Sequence, residues 1–143
     1  MSRMLGGIAA RRTRYVPPAN FPPRARMIPP GWRVPSVEME SAASRVVLLL
    51  KTFQAPVAAR QSDIDARSEA LTALGVMRRA LRPVSWVMLD LILGRGMSRV
   101  DAADYLGERP MFVTDRFHAA LAELCVYFCA TDKNALDTLP THR

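Results

Sequence analysis

At 143 residues the chain has room for one modest core plus a tail, not for two independent cores. Half of its residues are apolar, as in a globular protein, but no uncharged run approaches the about 20 residues of a membrane span, so no membrane partner is expected. The formal charge of +7 is carried by one end: residues 1–37 hold seven arginines and no acid, while the remaining 13 Lys and Arg are cancelled by 13 Asp and Glu.

Residues 1–37 also hold seven of the 11 prolines, and paired prolines block both helix and central strand. The composition predicts a flexible, basic, Pro-rich tail that is disordered until a partner orders it, partly polyproline II in character. Such a lopsided charge calls for a polyanion at that end. Arg3, Arg11, Arg12, Arg14, Arg24, Arg26 and Arg33 are interleaved with Tyr15, Phe21 and Trp32. Guanidinium groups grip phosphates bidentately and stack on bases, as aromatic rings do, so these ten residues are the candidate nucleic-acid contacts, to RNA or to DNA. The plainer reading is a solvated tether, which leaves the aromatics without a purpose. The Arg-rich, acid-free start shares its composition with organellar transit peptides, although the proline pairs suit a retained tail better.

Residues 38–130 read as one helical domain, followed by a short C-terminal tail over 131–143. "SVEMESAASRVVLLLKTF" begins with Ser36 and the acidic pair Glu38 and Glu40, which suit a helix N-terminus. Its run from Val46 to Leu50 predicts burial on nearly all sides, and the helix should end before Pro56. In the second helix Ser62 is the expected N-cap, and Ile64, Ala66 or Arg67, Leu71, Leu74, and Met77 or Leu81 follow a helical stripe. The third starts near Pro83 and stops at Gly94-Arg95-Gly96. No segment alternates as a strand does, so the expected class is all-α.

Residues 98–124 carry the most informative pattern. Ser98 caps a short helix ending at Leu106, Gly107 supplies a left-handed turn, and Pro110 opens a longer helix. Ala102 and Ala103 permit close helix approach, and Val113, Phe117, Ala120, Leu121, Leu124 and Phe128 form one apolar stripe. This is a helix-turn-helix pattern. With Leu106-Gly107 at the turn, Val113 six positions on, then Ala120-Leu121 and Leu124, it resembles region 4 of bacterial sigma factors. That family reads promoter bases through Arg, Lys, Gln and Glu residues on its second helix. Here the corresponding face is Arg109, Met111, Thr114, Asp115, His118 and Ala119, and residues 98–124 hold three arginines against five acids. Phosphate binding draws its strength from displaced counterions and needs a basic surface, so this face reads as one for protein.

The basic lead together with the sigma-like unit is similar to the activators of alphaproteobacterial gene transfer agents, specifically their polymerase-contacting, C-terminal or stand-alone part (the Gaf type). The resemblance implies a cytoplasmic, nucleoid-associated bacterial factor that binds RNA polymerase, core or sigma, and promotes transcription of phage-like genes. It also admits antitermination in the manner of phage Q-type proteins and a separate DNA-binding companion. The alternatives are a sequence-specific DNA-binding regulator and a phage-derived structural or packaging protein.

Chemistry-bearing clusters are few. Cys125 and Cys129 lie four apart on the last helix and read as a reduced, buried pair. On a helix rising 1.5 Å per residue, His118 stands roughly 16 Å from Cys129, too far to share an ion. No metal and no cofactor are expected. Without a Gly-rich phosphate loop, a nucleophile–base pair or clustered carboxylates, neither is an enzymatic activity.

Overall fold

The computed structural model describes residues 15–28, 32–56 and 60–138, with side chains as far as residue 134. Five helices are present and, among the described residues, no strand. Helix α1 spans Val37–Gln54, α2 Gln61–Ala80, α3 Pro83–Leu89, α4 Arg99–Leu106 and α5 Pro110–Thr138. The protein is a small all-helical domain. No helix among the described residues is long and apolar enough to cross a membrane.

Local chemistry sets the helix ends. Ser36 Oγ accepts the Met39 N–H at 3.2 Å and caps α1, and Ser98 Oγ accepts the Asp101 N–H at 3.1 Å and caps α4. Pro83 opens α3, where its missing N–H costs nothing. Helix α3 runs directly into a π-helical turn over Asp90–Gly94, and Gly96 reverses the chain at φ +68°. α4 ends at Gly107, also at φ +68°, and Pro110 then begins α5. The short helix, left-handed glycine and long helix thus lie where the sequence predicts.

One core joins all the elements. Val46 and Val47 of α1, Met77 of α2, Met88 and Leu89 of α3, Ala102 and Leu106 of α4, and Phe117 and Leu121 of α5 are each at most 1% exposed. Val113, Ala120 and Leu124 complete the predicted α5 stripe at 0%. α3 and its π turn form the centre, with Leu91, Ile92 and Leu93 buried in succession. The single buried polar side chain among the described residues, Ser85, donates its hydroxyl to Glu123 on α5. Glu123 also accepts from Arg82 Nε (3.0 Å), Nη2 (2.9 Å) and backbone N–H (3.1 Å), which ties the start of α3 to α5.

Several expectations are corrected. Leu48 is 66% exposed, because α1 packs against α2, α5 and the π turn and leaves its remaining face open. α2 begins at Gln61 with Arg60 at the cap position, not at Ser62. Its inward face is Ala70, Leu74 and Met77, whereas Ile64 (42%) and Leu71 (54%) face out. Arg67 of the same helix lies over the Phe53 ring at 5.2 Å and donates to the Ala55 carbonyl. The cysteines are not a buried pair, since Cys125 is half-buried and Cys129 exposed, one position off the α5 stripe. Helix α5 continues beyond residue 130 to Thr138, so residues 131–138 extend the helix; residues 139–143 lie outside the described part.

The largest departure is N-terminal. Residues 15–28 and 32–36 do not stand away from the helices but form a strap laid along them, with Ala25 only 9% exposed. Their backbone polar groups pair with the bundle, as set out next, and this pairing replaces the solvent that a free tail would keep.

Candidate functional site

The strap and the α4–α5 pair meet around the π turn. Helices leave their last carbonyls without internal partners, and the strap supplies the donors. Arg24 N–H donates to Gly94 O at 2.8 Å and Arg26 N–H to Leu93 O at 2.9 Å. Gln54, the last residue of α1, fills the intervening position: its Oε1 accepts the Ala25 N–H at 2.6 Å and its Nε2 donates to Gly94 O at 3.1 Å. Gly96 makes room for this crossing, because a Cβ there would lie 2.9 Å from Arg26 Cδ.

Upstream, a polar latch holds the start of the strap. Tyr15 donates its hydroxyl to Asp90 Oδ2 at 2.8 Å, Arg95 Nε donates to the same oxygen at 2.9 Å, and Arg95 Nη1 donates to Phe21 O at 2.9 Å. Tyr105 of α4 donates to the Val16 carbonyl. The Asp90–Arg95 pair is well shielded, with side chains 15% and 12% exposed. Burial and the adjacent Asp90 carboxylate together push the Tyr15 phenol far above its ordinary range, so it stays a donor.

Downstream, the strap lies on α5. The Trp32 ring packs edge-on to buried Phe117 with centroids 4.8 Å apart, and to His118 at 6.5 Å. His118 Nε2–H donates to the Arg33 carbonyl at 2.7 Å. Ser36 then caps α1, so the strap joins α4, the π turn, α5 and α1 in turn.

The predicted nucleic-acid contacts therefore divide. Arg3, Arg11, Arg12 and Arg14 lie outside the described residues. Tyr15, Phe21 and Trp32 are half-buried against the core, so the structure gives their rings a packing role in place of open stacking surfaces. Arg24, Arg26 and Arg33 are exposed. No carboxylate lies within ion-pair distance of these three or of Arg99 and Arg109 among the described residues.

The partner-facing set on α5 is only partly brought together. Arg109, Met111 and Asp115 are exposed, Met111 at 70%, and form an open, nearly neutral face at the helix start. Thr114 turns its hydroxyl back to the Pro110 carbonyl at 3.1 Å, Ala119 is half-buried, and His118 is held by the strap. Arg116 lies over the Phe112 ring at 5.0 Å.

Sequence reasoning missed Asp90, Arg95, Gln54, Tyr105 and Gly96, the residues that seat the strap. A usable signal was present: a charged residue between two glycines, five positions after an acid, at the end of an otherwise apolar run. Among the described residues no three His, Cys, Asp or Glu side chains converge on a metal-sized space. Burial and nearby Glu38 push the Cys125 thiol up, away from the thiolate that metals require. Comparison with known protein families, with curated proteins and with solved structures found no match.

Proposed function

We propose that this protein is a non-enzymatic transcription factor of the cytoplasm. On this reading its sigma region 4-like helix-turn-helix binds RNA polymerase, its N-terminal arginines contact nucleic acid, and the pair promotes transcription of phage-like genes. The observation that carries the reading is the open face of α5, where Met111 is 70% exposed between Arg109 and Asp115. A large apolar side chain among balanced charges suits a protein partner, because phosphate binding needs net positive charge. The unit has the architecture of a DNA reader and the surface chemistry of a protein docking face. Arg24, Arg26 and Arg33, without carboxylate partners among the described residues, lie on the strap beside it and are assigned the nucleic-acid contact.

The test is retention of RNA polymerase subunits from a nuclease-treated bacterial lysate by the tagged full chain. Polymerase should be retained by the parent and lost with Met111→Asp, a change at an exposed position that leaves the core intact. Sequence-specific binding of the chain to promoter DNA, with no polymerase retained, would replace this reading with the DNA-regulator alternative.

A further inference from the structure

The strap's docking has a consequence for how it would hold a polyanion. A free tail carries its charges in random directions, and binding must first order it at an entropic cost. Residues 24–26 are already ordered: both arginine N–H groups are bonded to carbonyls of the π turn, and the N–H between them is bonded to Gln54. Ala25 is buried while Arg24 and Arg26 are exposed, the alternation of an extended chain. Their side chains therefore leave the same side of the backbone, about 6–7 Å apart at two residues of extended rise. That is close to the separation of neighbouring phosphates along one nucleic-acid strand.

The seat is specific for Arg26. Its aliphatic stem crosses Gly96 so closely that a Cβ there would stand 2.9 Å from Cδ, 3.4 Å from Cγ and 3.5 Å from Nε. Gly96 begins the link to α4, where exposed Arg99 adds another cation without a carboxylate partner. By contrast Arg95, one residue away, is consumed by Asp90 and Phe21 O in holding the strap. The guanidinium groups that build the seat and those that face outward are thus different residues.

We infer that the docked strap makes Arg24 and Arg26 a fixed clamp for two adjacent phosphates of one nucleic-acid strand, with Gly96 as the seat that aims Arg26. The inference rests on the reading that the N-terminal arginines contact nucleic acid, and it adds that the bound form is already built in the free protein. Both single-stranded RNA and duplex DNA present this phosphate chemistry.

Fluorescence anisotropy of the full chain with a labelled single-stranded RNA and a duplex DNA, across a salt series, tests it. Removing two phosphate contacts in Arg24→Ala/Arg26→Ala should flatten the slope of log affinity against log salt by about 1.4 on RNA or about 1.8 on duplex DNA. The nucleic acid bound more tightly by the parent identifies the source of the phosphates. Arg78→Ala/Arg79→Ala, which removes two exposed cations from α2, should leave the slope unchanged. Gly96→Ala keeps every charge but displaces Arg26, and should also weaken binding. Tyr15→Phe, which loosens the latch without touching the seat, should act in the same direction. If Arg24→Ala/Arg26→Ala binds like the parent while replacing Arg3, Arg11, Arg12 and Arg14 abolishes binding, the clamp is wrong and the nucleic-acid reading stands. If the parent shows no salt-dependent binding to either probe, both fall.

Discussion

In the bundle, Arg45 is held by Asp132 at 2.9 Å, Arg82 by Glu123 at 2.9 Å and Arg95 by Asp90 at 2.9 Å. In the strap, Arg24, Arg26 and Arg33 meet no carboxylate, while the backbone that carries them is firmly bonded to the helices. These three bundle arginines serve the bundle's own structure: Arg95 orients the latch, Arg82 and Glu123 join α3 to α5, and Arg45 covers the Phe128 ring at 3.9 Å. The strap does the reverse. Its backbone and rings supply the binding to the bundle, and its guanidinium groups are left for a partner. A net charge alone does not distinguish these uses, because a paired arginine and a free one count equally. Position in the fold separates them.

The sharpest way to break this comparison is to remove the ring on which both regions rest. Phe117 is 0% exposed and carries Trp32 on its edge. Phe117→Ala should cost about 4 kcal/mol, as large-to-small core changes do. It should also lower amide protection in residues 32–34. Thermal melting and hydrogen exchange read the two effects, and an unchanged melting temperature would mean that the strap and not the bundle core carries this ring.

Next in size is the latch. Asp90→Ala leaves Arg95 shielded without its carboxylate and Tyr15 without its acceptor, which should cost about 3 kcal/mol, the lower end for breaking a buried pair. Because Arg95 also holds Phe21 O, the loss should show as faster amide exchange at Arg24 and Arg26. Protection unchanged there would separate the latch from the seat.

The smallest effect belongs to a contact wholly inside the bundle. Burial pushes the Glu123 carboxyl up, but hydrogen bonds from Arg82 and Ser85 outweigh it and hold the group below the usual carboxylate range. A depressed carboxylate contributes stability that is fully present above its ordinary value and is lost as pH falls through the folded value. Glu123→Gln should therefore cost about 1 kcal/mol near neutrality, typical of a partly exposed pair. The difference from the parent should shrink as the medium becomes more acidic. Denaturant melts at two pH values measure it, and exchange protection in the strap should not change.

The short helix α4, its glycine turn and the long helix α5 were legible because their signals are local. A serine three residues before the N–H that donates to it, a glycine at the turn and a proline at the first helical position act over single turns of chain, and each sits where expected. The α5 stripe was legible for the same reason, since 3.6-residue periodicity needs no knowledge of what covers it. Of the expected α2 stripe, Leu74, Met77 and Leu81 are buried, but Ala70 takes the inward place one turn earlier and Ile64 and Leu71 are exposed, because two adjacent rows are both apolar. Cys125 and Cys129 were misjudged because hydrophobicity says what a residue tolerates, while coverage depends on where a neighbouring helix runs out.

The N-terminal segment marks the same division most clearly. Sequence by itself determined that the proline-rich segments 15–28 and 32–36 would be neither helix nor central strand and that residues 1–37 hold all the unbalanced charge, because prolines and the absence of acids act residue by residue. Only the tertiary structure decided that residues 15–28 and 32–36 lie on the bundle. Their partners are the terminal carbonyls of Leu93 and Gly94, the amide of Gln54, the carboxylate of Asp90 and the ring of Phe117, from 29 to 85 residues away in sequence. No local periodicity records such partners. They come together only when the π turn, the end of α1 and the face of α5 have been assembled around one core.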